Sequence, residues 1–319
     1  MASKIRLFDL TSLSRREMLA VLLACGLFLA FQITVVGIMP AHFVMVGLFV
    51  LFYFAHPLTR RLALALLPFI AFEMCYDWMR LLPNYRVNPV DTEDLYLAEQ
   101  RIFGITTAEG TTIIPGEYFN THHNAVADLL AGCCYLCWVP LPMAFGIWLL
   151  FKGEQRHYLH FALCFLFVNL VGFVCYYIHP AAPPWYVLEH GFEVDDSTPG
   201  NVAGLIRFDR MVGIPVFQSI YVGNSNIFAA VPSLHAAYMF IATIYAAMRR
   251  RNWPLVAVFA VVTVGIWWTA VYSCHHYIID VVLGILTAIV GILLFECLLM
   301  RWRPFGRFVD GYTKLISKP

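Results

Sequence analysis

Residues Trp253 to Met300 read WPLVAVFAVVTVGIWWTAVYSCHHYIIDVVLGILTAIVGILLFECLLM. Two apolar runs, near 253–273 and 277–300, flank a short polar hinge. Asp280 and Glu296 are the only charged residues in the stretch. A helix crosses a bilayer with about 20 apolar residues, and each run is that long. The stretch reads as a helical hairpin through a membrane, with two adjacent histidines at its turn.

Similar runs lie near 17–39, 42–56, 61–80, 124–151, 157–178 and 229–248, which brings the expectation to about eight transmembrane helices. Composition agrees. The chain has 319 residues, 61% of them hydrophobic and 13% charged, with a mean hydropathy of +0.71. Soluble domains average about 45–50% apolar and about 25% charged. A water-soluble enzyme and a disordered chain are excluded. So is a nucleic-acid partner, because 21 Lys and Arg nearly balance 20 Asp and Glu. The fold class is an all-α polytopic membrane protein. Eight of the nine cysteines sit inside apolar runs as small hydrophobes, without zinc-ligand spacing.

Charge placement orients the spans. With the N-terminus cytoplasmic, segments 1–16, 57–61, 152–156, 249–252 and 301–319 face inside and hold 16 of the 21 Lys and Arg. They include Lys4, Arg6, Arg15, Arg16, the pair Arg60-Arg61 and the triplet Arg249-Arg250-Arg251. The outer side keeps Arg80, Arg86, Arg101, Arg207 and Arg210. This is the positive-inside pattern with both termini cytoplasmic. The first run is too long for a signal peptide and reads as a retained span. Two long polar loops, 81–123 and 179–228, face the outside, which is the periplasm or a lumen.

Candidate chemistry gathers on that outer side. Val231-Pro232-Ser233-Leu234-His235 opens the sixth span. A helix start offers free N–H groups for an anion. Pro232 suits a first turn, and Ser233 can cap it or donate to a bound anion. His235 can exchange a proton there. His275-His276-Tyr277-Ile278-Ile279-Asp280 opens the eighth span. His276 and Asp280 are four apart and share a helix face, so the carboxylate can fix the tautomer of the ring. His275 pairs with Ile279 and lacks such a partner. No zinc-binding motif such as H-E-x-x-H accompanies these histidines, and neither metal nor cofactor is expected.

Pro232-Ser233-Leu234-His235 and His276-x-x-x-Asp280 resemble the second and third motifs of the type 2 phosphatidic acid phosphatase superfamily. VPSLHA at 231–236, the doublet in His275-His276-Tyr277 and the segment His179-Pro-Ala-Ala-Pro-Pro-Trp-Tyr186 resemble its inositol phosphorylceramide synthase branch. The resemblance covers roughly 61–300. It implies a six-helix phosphatase-like core over 61–300, preceded by two accessory spans in 1–60 and followed by a basic cytoplasmic tail, 301–319. It implies catalysis by His276, Asp280 and His235 through a phosphohistidine. The implied partners are a phospholipid donor, phosphatidylinositol by resemblance, and a ceramide-like acceptor. An accessory subunit has no signature in the sequence.

Two departures stand out. The superfamily's Lys-x6-Arg-Pro is absent, since that region ends in Ile178-His179-Pro180. The Ser-Arg that usually precedes the third motif is replaced by Thr269 and Ala270. The phosphate clamp must come from elsewhere, and among Arg80, Arg86, Arg207 and Arg210 the preferred candidate is Arg80. Ser233, His179, Trp185, Tyr186 and His275 complete the expected substrate-binding set. Trp185 and Tyr186 are expected at the interface, with their rings toward lipid, shielding the site. Two alternatives remain open. One is a lipid phosphate phosphatase using the same residues with water as acceptor. The other is a transporter using Glu73, Asp77, Asp128 and Asp280 as a pathway.

Overall fold

Prolines decide where many of the helices begin and bend. The computed structural model describes residues 13–223, 226–249 and 252–317. Lys4, Arg6, Arg250 and Arg251 lie outside the described residues. Helices α1 (Arg15–Val35) and α2 (Pro40–Ala55) come first, followed by α3 (Pro57–Ala65) and α4 (Leu67–Asp77). Proline lacks an N–H and is tolerated in a first turn, where no intrahelical bond is lost. Pro40 and Pro57 open α2 and α3 in this way, and Pro68 sits in the first turn of α4.

The long segment between α4 and α7 is built rather than loose. It carries α5 (Asp94–Phe103), the short antiparallel hairpin β1 (Ile105–Thr106) and β2 (Thr112–Ile113), and α6 (Pro115–Thr121). Next come α7 (Ala125–Tyr135), α8 (Pro140–Phe151) and α9 (Gln155–Ile178). The long segment after α9 holds α10 (Pro184–His190), α11 (Ile206–Val212) and α12 (Val216–Val222). The chain ends with α13 (Leu234–Met248), α14 (Trp253–Tyr272), α15 (Ile278–Leu294) and α16 (Arg303–Ser317). A π-helical turn, Phe295–Leu299, prolongs α15.

All eight apolar runs carry helix, though not each as one unbroken span. Among the described residues, only α1, α9, α14 and α15 with its π turn are long and apolar enough to cross a membrane alone. The run at 61–80 breaks between α3 and α4 with a 43° bend, and the run at 124–151 breaks between α7 and α8 with a 42° bend. The causes are Pro68 and Pro140, which cannot donate to the preceding turn. Counting each bent pair as one span gives six. Helices α2 and α13, with 16 and 15 residues, are shorter than a full crossing.

Helix α9 is the axis of the bundle. Its buried face includes Tyr158, Phe161, Phe165, Val168, Asn169 and Phe173, and it packs on α4, α8, α13, α15 and α16. Helix α1 is largely exposed on the outside. It is tied on by Trp78 Nε1 donating to Gln32 Oε1 at 2.9 Å and Tyr53 OH donating to Glu17 at 3.2 Å.

Within the tail, Arg303–Ser317 forms the amphipathic helix α16. It buries Val309 and Ile316 against α3 and α9, and is pinned by Arg156–Asp310 at 2.6 Å and by Tyr312 OH donating to the Leu64 carbonyl. Helices α13 and α15 start at the end of the bundle where α9 finishes. The basic turns, and α16, lie at the other end, where Arg249 forks onto Glu154.

Candidate active site

Three loop segments are laced together just before α13. Asp91 N–H donates to the Pro180 carbonyl at 2.8 Å, Ala182 N–H to Asp91 at 2.9 Å, and Ala181 N–H to Phe228 at 3.0 Å. Asn84 Nδ2 adds bonds to the carbonyls of Tyr176 and Phe228. This short parallel lattice fixes the path into Val231–Ser233. Ser233 N–H then donates to the Asp280 carbonyl at 3.0 Å, linking the two motifs directly. Gly284 makes the close approach possible, since a Cβ there would meet the Ser233 carbonyl oxygen at 2.1 Å.

The hinge 273–277 folds back on α14. The N–H groups of His275 and His276 both reach the Ala270 carbonyl, at 3.1 and 3.0 Å. Cys274 adopts a left-handed φ of 62°, which costs a residue with a Cβ some strain and turns the histidines inward.

Nδ1 of His276 lies 3.3 Å from Asp280 Oδ2, which also accepts the Tyr277 N–H at 2.9 Å. The carboxylate fixes the ring proton on Nδ1 and leaves Nε2 as a lone pair. His235 Nδ1 is 3.1 Å from that Nε2, so His235 must be the donor. The ring centroids are 5.3 Å apart and the facing nitrogens are in direct contact, which leaves no room for a phosphoryl group between them. Substrate must separate the two rings.

Burial pushes the His276 imidazole down to about 4, so it is neutral at physiological pH. His275, buried beside the other two histidines, is also held well below its ordinary range. The sequence reading missed Glu99 on α5. It is almost fully buried, and its two carboxylate oxygens accept the N–H groups of Ile278 and Ile279 at 2.8 and 3.1 Å. It seats the first turn of the helix that carries Asp280. Burial raises its carboxyl to about 7, against the opposing pull of those two bonds.

The histidine pair forms part of the wall of a cavity of about 350 Å³. Trp138 lies 4.5 Å from the His235 ring and Tyr135 5.2 Å from it, measured between centroids. Arg80, Trp185 and His275 line the cavity, together with Glu73, Asp77 and Asn201. Of Arg80, Arg86, Arg207 and Arg210, Arg80 alone lines it. Its guanidinium is already paired with Asp77 at 2.5 Å. Arg207 is held by Asp128 at 2.7 Å over the Tyr272 ring, and with Arg210 it lines a second cavity. Arg86 is exposed elsewhere.

Three expected substrate-binding residues do not line this cavity. Ser233 is fully buried under α15 and its hydroxyl does not cap α13, whose first residue is Leu234; Pro232 therefore precedes the cap. His179 ties the loops through Asp91 at 3.2 Å. Tyr186 does not face lipid. It is fully buried, donating to the Glu193 carbonyl and accepting from the Asp195 N–H. Trp185 is also buried, with one face on the cavity. Asp128 belongs to the Arg207 cluster and does not line the cavity with Glu73 and Asp77.

Residues 111–294 match the sequence profile of the PAP2 superfamily. The chain belongs to that superfamily. Within it, the chain is 53% identical to phosphoinositol dihydroceramide synthase of Bacteroides thetaiotaomicron, over 95% of this chain and 99% of that one. It is 25% identical to inositol phosphorylceramide synthase of Candida albicans over 79% of this chain and 51% of that one. To the catalytic subunit of the Saccharomyces cerevisiae inositol phosphorylceramide synthase it is 27% identical over 72% of this chain and 56% of that one. The PAP2 chain described here is thus closely related to the inositol phosphorylceramide synthase branch. No solved structure matches it.

Proposed function

We propose that this membrane phosphotransferase moves phosphoinositol from a phosphatidylinositol donor to the primary hydroxyl of a ceramide-like acceptor. The observation that carries the mechanism is the line Asp280 Oδ2, His276 Nδ1, His276 Nε2, His235 Nδ1, with contacts of 3.3 and 3.1 Å at the wall of one cavity. His276 Nε2 attacks phosphorus. The bond to the diacylglycerol oxygen breaks, and His235, protonated as the anionic donor binds, gives that oxygen its proton. Asp280 stabilises the charge that develops on the ring. The phosphohistidine splits one difficult displacement into two easier ones. His235 then takes the proton of the acceptor hydroxyl, whose oxygen attacks phosphorus as the P–N bond breaks. Arg80 is the cation available to the phosphoryl oxygens, in equilibrium with Asp77.

Transfer to a lipid alcohol rather than water requires a dry site. The buried Trp185 and the aromatic rings around His235 favour that reading. The proposed topology has eight crossings, two in an N-terminal unit over 1–60 and six in a catalytic core over 61–300. The termini are cytoplasmic, and the site opens to the periplasm or a lumen. The basic turns at the end opposite the histidines support it.

Mass spectrometry of lipids from a ceramide-fed host tests the function. Phosphoinositol-ceramide should accumulate with the unmutated chain and be absent with H276A. Identical lipid profiles from the two hosts would overturn the reading.

A further inference from the structure

The wall of the cavity formed by α4 carries more negative charge than the phosphoryl chemistry can use. Glu73 and Asp77 are one helical turn apart, so they share a face, and both line the cavity that holds His235 and His276. Asp77 is engaged by Arg80 at 2.5 Å and by His42 Nε2 at 3.3 Å. Glu73 is different. It is exposed, and makes no hydrogen bond or ion pair among the described residues. An unpaired carboxylate within an apolar helix is costly unless a ligand or water meets it.

A free carboxylate in a cavity of about 350 Å³ also repels the phosphodiester that must react there. The arrangement makes sense if hydroxyl donors occupy the space between.

We infer that Glu73, with the Arg80-buttressed Asp77, forms the subsite for the head group's polyol, and selects neutral, hydroxyl-rich head groups over others. Carboxylates accept hydrogen bonds from adjacent hydroxyls, and a site built to do so rejects a head group that lacks them. The inference rests on the phosphotransferase reading above. It adds which residues set donor choice. Neither carboxylate touches the reacting phosphorus in this account, so Glu73 is a specificity residue and not part of the His–His–Asp machinery.

The test uses the full-length protein in mixed micelles with ceramide. Donors are phosphatidylinositol and phosphatidylglycerol, compared in the unmutated protein and in E73Q. The variant keeps shape and removes charge at an exposed side chain, so the fold is preserved. Loss of charge-assisted hydrogen bonds should lower kcat/KM for phosphatidylinositol about tenfold or more. Phosphatidylglycerol, whose two adjacent hydroxyls can engage one carboxylate but not the wider ring of contacts an inositol makes with Glu73 and Asp77 together, should lose at least about threefold less than phosphatidylinositol. Where phosphatidylglycerol is not turned over, its inhibition constant against phosphatidylinositol supplies the second number. Equal losses for both donors, or no loss for either, would overturn the inference. If the unmutated protein does not transfer from phosphatidylinositol to ceramide, the functional reading itself fails, and the two failures are distinguishable.

Discussion

His235 Nδ1 donates to His276 Nε2 across 3.1 Å, so the proposed acid lies directly against the lone pair of the proposed nucleophile. A phosphodiester bound between them favours protonation of His235. The same contact orders the roles, because Asp280 has already fixed the other nitrogen of His276.

Removal of the nucleophile should end both half-reactions. H276A is expected to lose at least about 10⁴-fold in donor consumption, and D280N about 10²–10⁴-fold with donor binding retained. Diacylglycerol release in a single turnover measures this. Full activity in H276A would sink the assignment.

The acid can be separated from the nucleophile by the leaving group. H235A should be severely impaired with phosphatidylinositol. It should recover most of its first-step rate with a nitrophenyl phosphodiester, whose leaving group needs no proton. The burst of nitrophenolate is the readout. A loss as large with the activated donor would mean that His235 does something else.

Gly284 sets how closely α15 approaches the second motif. G284A puts a Cβ 2.1 Å from the Ser233 carbonyl oxygen, so the helices must part. Overpacking of this kind costs about 1–3 kcal/mol, and here it should also lower activity at least about tenfold by separating His235 from His276. Thermal melting and turnover on the same preparation check it. Unchanged turnover would show that the site tolerates the shift.

Glu99 gives a pH signature with a defined sign. Its folded value of about 7 lies above the ordinary 4.5, so the folded protein holds an extra proton between them. That contribution to stability is complete below about 4.5 and is lost as pH rises through 7. His276 works the other way. Its folded value of about 4 lies below 6.5, so stability is lost as pH falls between those values. Because the two slopes oppose, the comparison of E99Q with the unmutated protein is informative. Relative to the unmutated protein, E99Q should gain stability as pH rises from about 5 to 8, by at most about 1.4 kcal/mol per pH unit. Parallel melting curves across that range would argue against a buried, titrating Glu99.

The pairing of His276 with Asp280 was legible because i and i+4 fall on one helix face, a relation that needs no knowledge of the fold. The start of α13 was legible for a similar local reason. Glu99 was not, since its partners Ile278 and Ile279 lie about 180 positions away and are backbone groups. The bends at Pro68 and Pro140 were visible as residues, but their apolar surroundings favoured continuous spans. Tyr186 was misjudged because interfacial preference describes an average tyrosine. This one finds two backbone partners inside a folded loop. Glu73 and Asp77 stood out as intramembrane charges, yet only the cavity shows what they share with the histidines.

The acceptor decides the account, and one partition experiment reads it. Purified protein is given phosphatidylinositol labelled in its phosphate, with ceramide present, and both labelled products are counted for the unmutated chain and for W185A. The account predicts that labelled phosphoinositol-ceramide dominates in the unmutated protein. In W185A, where the buried ring is removed from the cavity wall, the share of free inositol phosphate should rise at least about twofold while donor consumption falls less. Free inositol phosphate as the sole product of the unmutated protein would contradict it and make the chain a phosphatase.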